Sequence, residues 1–221
     1  MKVTNKPFLA IETTGSLCSV CVYENEKKNL TVSLNMDRAH SKKILSLIDS
    51  AMSNFGIKPP DLGGICVSEG PGSFTGLRLG FAAAKGIAFG AGIGILKVPT
   101  FQSLAFELSE KMSVNTRGLI VTKAALEESY VYGFEACDDG FMEVFPLSLV
   151  ENDKLLQMIQ EGNYSKVYSN IQIERVKTSE KTSPDALSIV KYAIKKLNFV
   201  FDNEVDFIEP YYFKNFIVKV R

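Results

Sequence analysis

The sequence predicts an α/β protein in which one unit, of three strands, a helix, a strand and a helix, occurs twice. Three observations carry that expectation. Short apolar runs rich in β-branched and aromatic residues alternate with longer amphipathic stretches. Helix start and stop residues bracket those stretches. The order of elements in residues 8–108 returns in residues 118–197.

Phe8 to Ile11 is the first strand, Thr13-Thr14-Gly15-Ser16 a turn, and Leu17 to Tyr23 the second strand. A polar turn from Glu24 to Lys28 leads to a third strand, Leu30 to Asn35, so the chain opens as a β-meander. Ser41 is placed to cap a helix running to Phe55, with Ile44, Ile48, Ala51, Met52 and Phe55 on one face, Leu45 and Leu47 widening it, and Gly56 at its end. Pro59-Pro60 closes the connection to a buried strand, Ile65 to Ser68. A turn of Gly70, Pro71 and Gly72 follows, and Ser73 caps a helix over Phe74 to Phe89. Ile93 to Val98 is a further strand, and a helix with Phe101, Leu104, Ala105 and Leu108 on its apolar side begins at Pro99-Thr100.

In the second half, Gly118 to Thr122, Tyr130 to Glu135 and Phe141 to Leu147 are strands, with Asp138-Asp139-Gly140 as a hairpin turn. A helix carrying Leu155, Leu156 and Ile159 ends at Gly162, and Lys166 to Ser169 is the next strand. Ser183-Pro184-Asp185 reads as cap and first turn of a helix lined by Leu187, Val190, Ile194 and Leu197. Two such units are the element order of a duplicated ribonuclease-H-like fold, the actin, sugar-kinase and Hsp70 architecture. The expected lobes are residues 1–103 and 104–221.

Composition narrows the function. Lys+Arg and Asp+Glu are both 25, so a broad basic face for nucleic acid is not expected. The tail mixes Lys214, Lys219 and Arg221 with Tyr211, Tyr212, Phe213 and Phe216, and reads as lobe packing with a charged end rather than an RNA arm. No apolar run reaches the length of a membrane span and no signal-peptide pattern opens the chain, so a cytoplasmic protein with reduced cysteines is expected. Cys18 and Cys21 form a C-x-x-C pair, but on a strand residues three apart point to opposite faces and cannot share a ligand. With His40 the only histidine, any serine–histidine, cysteine–histidine or two-histidine metal mechanism must use it or do without; a strand-to-helix junction suits a surface role.

The glycine-rich stretch from Gly70 to Gly90 invites a phosphate reading, because strand, glycine turn and helix N-terminus together favour an anion. The spacing fails both known patterns. No Lys follows Gly76, and Thr75 stands where a dinucleotide fingerprint starting at Gly70 needs glycine. In the helix, Gly76, Gly80 and Ala84 form a smooth stripe at i, i+4 and i+8, with Ala83 and Ala88 beside it. Such a stripe lets another element approach closely, either inside one subunit or across a subunit boundary.

Leu9-Ala10-Ile11-Glu12-Thr13-Thr14, Cys18-Ser19-Val20 and above all Gly70-Pro71-Gly72-Ser73-Phe74-Thr75-Gly76-Leu77-Arg78 resemble the bacterial TsaB (YeaZ) family. Val98-Pro99-Thr100 and Glu209-Pro210-Tyr211-Tyr212 resemble its later landmarks; the likeness is dense over residues 8–108 and thin beyond. It implies an actin-like two-lobed fold and a part in making N6-threonylcarbamoyladenosine in tRNAs that read ANN codons. It also implies a non-catalytic partner of TsaD, which carries the metal and transfers the threonylcarbamoyl group, and of TsaE, an ATPase. Pairing with TsaD, or with a second copy as a homodimer, is through helices of the first lobe; tRNA is met only through the complex. Where the family usually has Asp-Ala-Arg followed by Glu-Val-Tyr, this chain has Lys123-Ala124-Ala125-Leu126-Glu127-Glu128-Ser129-Tyr130. That departure moves it further from a nucleotide site.

The leading expectation is therefore an assembly and activation subunit with no metal and no cofactor. Its docking face is expected from Ile44, Leu47, Ile48 and Ala51 on one helix and from Ser73, Phe74, Thr75, Gly76, Arg78, Gly80, Ala83 and Ala84 on the next. Arg78 serves as the charged anchor, because its fork of donors fits a carboxylate or phosphate across a boundary. On this reading Gly80→Leu leaves the lobe folded and blocks pairing. The competing expectation is a free-standing actin-fold ATPase or kinase, or a peptidase-like hydrolase, with Glu12, Thr13 and Thr14 as a vestigial phosphate turn.

Overall fold

A computed structural model describes residues 6–35 and 43–213. His40, Ser41 and the tail residues Lys214, Phe216, Lys219 and Arg221 lie outside the described residues. The first half builds a five-stranded sheet around β1 (Phe8–Glu12), which is buried along its whole length. A strand covered on both faces needs apolar residues at every position, which is how Phe8-Leu9-Ala10-Ile11 reads. β1 pairs antiparallel with β2 (Leu17–Asn25), which pairs with β3 (Lys28–Asn35), and parallel with β4 (Gly64–Ser68). β5 (Ile95–Val98) lies parallel to β4 at the far edge.

The second half repeats the sheet: β6 (Arg117–Lys123), β7 (Glu128–Cys137) and β8 (Gly140–Glu151) form the meander. β9 (Lys166–Ser169) pairs parallel with β6, and a two-strand-residue β10 (Thr178–Ser179) with β9. The two orders, β3-β2-β1-β4-β5 and β10-β9-β6-β7-β8, correspond strand for strand once the second is read in reverse. The chain is a duplicated ribonuclease-H-like α/β protein, as its sequence predicts.

The repeating unit itself needs correction. Each copy has a fifth strand, and the helix after the fourth strand exists only in the first copy. There α2 (Phe74–Ala91) follows β4, whereas residues 170–177 connect β9 to β10 without a helix. The helix expected from Ser183 is thus the counterpart of α3 (Thr100–Ser109), not of α2. It begins two residues late, as α5 (Ala186–Lys196), because Asp185 is the true cap and accepts from the Ser188 N–H at 2.7 Å. β5 also starts later than expected. Gly92 takes the left-handed conformation at φ 65°, and the Ile93 N–H returns to the Ala88 carbonyl, so Ile93 still belongs to the helix end.

Helices cover both sheets in layers. α1 (Ile44–Phe55) and α2 lie on one face of the first sheet over Leu9, Ile11, Val20 and Val22. α5 covers the opposite face over Phe8, Ala10 and Cys21. α3 packs on the second sheet against Ile120, Tyr132 and Phe134, and α4 (Leu155–Glu161) closes that sheet's other face. The last helix of each half therefore sits on the other half's side of the molecule. α3 and α5 meet in the middle, where buried Glu107 accepts from the Asp185 N–H at 3.0 Å and pairs with Lys181 at 2.9 Å. Residues 199–211 also return to the first sheet: Phe201 stacks on Phe8, and Asp202 bridges to Ile95. A cut after residue 103 would run through α3 and part α5 from the sheet it covers. Cys18 and Cys21 are buried in the cores on opposite faces of β2, as strand geometry requires. No helix among the described residues is long and apolar enough to cross a membrane.

Candidate functional site

The site is built on four turns. Thr14-Gly15-Ser16 follows β1 and Pro71-Gly72-Ser73 follows β4 in the first half. Lys123-Ala124-Ala125 follows β6 and Asn170 follows β9 in the second. Duplication places these equivalent strand ends face to face, and between them lies a cavity of about 750 Å3. Tyr211, Tyr212 and Phe213 wall its remaining side. That segment is anchored where the Tyr211 N–H donates to the Glu69 carbonyl at 2.7 Å.

The turn expected to be a vestige of phosphate binding is occupied by its own structure. The Glu12 carboxylate is fully buried and accepts from the Thr14 N–H and the Thr14 hydroxyl, each at 2.5 Å, and from the Ser68 hydroxyl. Burial pushes its pKa up to about 7, against the pull of the Ser68 and Thr14 hydrogen bonds and the Lys181 charge. The Thr13 hydroxyl donates to the Gly76 carbonyl at 2.8 Å, and the Thr14 carbonyl accepts from the Ser73 N–H at 2.7 Å. These bonds stitch the end of β1 to the start of α2. Ser73 caps α2 as expected, accepting from the Gly76 N–H at 3.2 Å.

The docking face expected from the sequence is largely turned inward. A Cβ at Gly76 would overlap the Thr13 carbonyl oxygen, and one at Gly80 would stand 2.5 Å from the Thr13 hydroxyl oxygen. Gly76, Gly80, Ala83 and Ala84 are buried, so the smooth stripe receives the chain's own β1 turn rather than a partner. Gly80→Leu would not leave the lobe intact. Ile44, Leu47, Ile48 and Ala51 are likewise committed to the core beneath α1, with at most 6% exposure. Ser73, Phe74, Thr75 and Arg78 do reach the surface. The Arg78 guanidinium lies 3.9 Å over the Phe74 ring, which in turn packs on Tyr212 at 5.3 Å between centroids.

A second stripe of small residues faces outward. Ala82, Gly86 and Gly90, again four apart, are exposed, and a Cβ at Gly86 or Gly90 would meet nothing within 4 Å. Phe89, 76% exposed, stands beside them, and Leu45 of α1 is 64% exposed. The sequence contained both stripes; only the position of the Thr13 turn tells which one is inside. The cavity's Thr122, Asn170 and aromatic wall were not legible, because their only signal is equivalence of strand ends across the duplication.

A family model described as TsaD, tRNA N6-adenosine threonylcarbamoyltransferase, matches residues 31–201. The tRNA threonylcarbamoyladenosine biosynthesis protein TsaB of Haemophilus influenzae is 26% identical, over 96% of this chain and 94% of that protein. TsaB of Escherichia coli is 30% identical over 60% of this chain and 56% of its own length. A crystal structure from Pseudomonas aeruginosa, of an uncharacterised protein similar to the peptidase YEAZ, superposes with a TM-score of 0.76 at 18% identity, covering 95% of this chain and all of that one (100%).

Proposed function

The chain belongs to the TsaB family, and from that premise we propose that it takes part in tRNA threonylcarbamoyladenosine biosynthesis as a non-catalytic assembly subunit. It docks a TsaD-type catalytic subunit through the first-lobe helices α1 and α2, works beside a TsaE-type ATPase, and can pair with a second copy through the same face when free. The outward stripe of α2 carries this reading: Ala82, Gly86 and Gly90 offer a facing helix close approach, with Phe89 and Leu45 as apolar anchors. Exposed large apolar side chains beside an unfilled small-residue groove mark surfaces that are covered in use. Arg78 stands at one end of the stripe, its guanidinium 3.9 Å over the Phe74 ring, where its donors can meet a partner's carboxylate. The Glu12, Thr13 and Thr14 groups that would serve a phosphate are engaged in holding α2, which favours a scaffold over a free-standing ATPase.

The test is light scattering of the full chain mixed with a TsaD-type subunit. Gly86→Leu points into open space and should leave the lone chain folded, with its melting temperature raised by a few degrees at most through the gain in helix propensity, while removing the mixed complex. Undiminished complex with Gly86→Leu would sink the assignment of this face. Threonylcarbamoyl transfer by the chain alone would sink the non-catalytic role.

A further inference from the structure

We infer that residues 209–213 are a clasp that fastens the two lobes across the mouth of the cleft and holds the cleft at one opening. The halves meet at a central crossing, α3 against α5, where Glu107 holds the Asp185 N–H and Lys181. A single attachment of that kind leaves two lobes free to hinge. A second attachment, away from the crossing, removes that freedom. The chain after α5 supplies it, and is first tied to the first lobe along its length. A Cβ at Gly64 would overlap the Phe201 ring, and Asp202 exchanges two backbone hydrogen bonds with Ile95, each at 2.9 Å. Val205 and Ile208 enter the core beneath α2, and the Lys85 ammonium donates to the Asp206 carbonyl at 3.0 Å. At the cleft the Tyr211 N–H donates to the Glu69 carbonyl at 2.7 Å, and a Cβ at Gly70 would stand 2.8 Å from the Tyr211 carbonyl oxygen.

Beyond that anchor, consecutive residues divide between the lobes. Tyr212 packs on Phe74 at the start of α2, 5.3 Å between ring centroids. Phe213 meets Tyr130 of β7 edge-on at 5.7 Å. Each ring is backed by a neighbour: Tyr130 by Phe101 at 6.4 Å, Phe213 by Tyr211 at 6.1 Å. Aromatic pairs at these separations attract beyond the area they bury. Two adjacent residues of one anchored segment thus grip opposite walls of the cleft. Widening the cleft would break one grip or the other. The result is a body of fixed shape, set in the lone chain. This holds whether or not α2 is a docking face.

Spin-label distance measurement on the full chain tests the clasp. Thr75 and Leu126 are exposed beside the cleft-lining Phe74 and Ala125, one on each lobe, and both become label sites as Thr75→Cys and Leu126→Cys. Cys137→Ser removes the exposed native thiol and leaves only buried ones. With the clasp intact the labels should give one narrow distance population. Tyr212→Ala and Phe213→Ala should each raise the share of longer, open distances about two- to tenfold, the loss of one aromatic contact. Phe213→Leu keeps most of the apolar volume, and with it the fold, and should show the same shift to a smaller degree. Phe207→Ala lies on the same segment but at an 82% exposed position outside the cleft lining, and should leave the distances as they are. A broad or two-peaked distribution with the clasp intact, or distances unchanged in both alanine variants, would overturn the inference.

Discussion

The Thr13 hydroxyl and the Gly80 Cα hydrogens compete for one space. The hydroxyl reaches past Gly80 to the Gly76 carbonyl at 2.8 Å, and a methyl group on Gly80 would lie 2.5 Å from the hydroxyl oxygen. The glycine stripe of α2 is therefore the receptor for a strand-end turn. That contact fixes the helix on the sheet and, with it, which side of α2 faces out.

Gly80→Ala should then cost about 1–3 kcal/mol, the usual penalty for adding a methyl to a filled space. Thr13→Ala should cost about 1 kcal/mol through the lost hydrogen bond. The double variant makes room for the new methyl, so its cost should be smaller than the sum of the two. Urea denaturation of the four proteins checks this. Strict additivity would mean that the two side chains do not share the space.

Gly86 is the opposite case on the same helix. It is exposed, helical, and has nothing within 4 Å of where a Cβ would go. Gly86→Ala should stabilise the lone chain by roughly 0.5–1 kcal/mol, the difference in helix propensity. A destabilised variant would show that the outward face of α2 is already covered within the chain.

These two glycines also explain what the sequence could convey. Strands were legible where burial on both faces demands an unbroken apolar run, as at Leu9 and Ile11, or where alternation splits Cys18 from Cys21. Caps were legible where the chemistry is local, as at Ser73 and Gly56. The inner and outer stripes of α2 were not distinguishable, because small residues four apart occur on both sides and the choice is made by Thr13, sixty-odd positions away. The crossing of α3 and α5 was hidden for the same reason. Their apolar faces specify that they are buried, while Glu107 and Lys181, distant in sequence, specify against what. The candidate cavity was least legible, since Thr122 and Asn170 acquire meaning only when two sheets face each other.

Thiol chemistry offers an independent check of the layers. Burial pushes the Cys18 and Cys21 thiols up to about 11 and raises Cys66 further, whereas Cys137 is exposed at the end of β7. Under native conditions at pH 8, a maleimide should label one thiol per chain, and Cys137→Ser should abolish the labelling. Fast modification of a second thiol would contradict the burial of β2 or β4.

Glu12 makes stability depend on pH in a definite direction. Its carboxyl titrates near 7 when folded and near its ordinary value of 4.5 when unfolded. Below pH 4.5 both states are protonated, and the preference of the folded protein for the acid form is fully present. Between 4.5 and 7 the unfolded chain binds fewer protons, so stability falls as pH rises and levels off above the folded value. The span amounts to on the order of 3 kcal/mol. Glu69 is raised by burial as well and contributes in the same sense, so the wild-type slope is not due to Glu12 alone. Glu12→Gln keeps an acceptor for Thr14 and carries no charge at any pH. Its unfolding free energy should therefore decline less than the wild-type value between pH 5 and 7, and should exceed it at pH 8. Parallel pH profiles for the two proteins would show that Glu12 is ionised in the folded state throughout, and that the hydroxyls of Thr14 and Ser68 outweigh its burial.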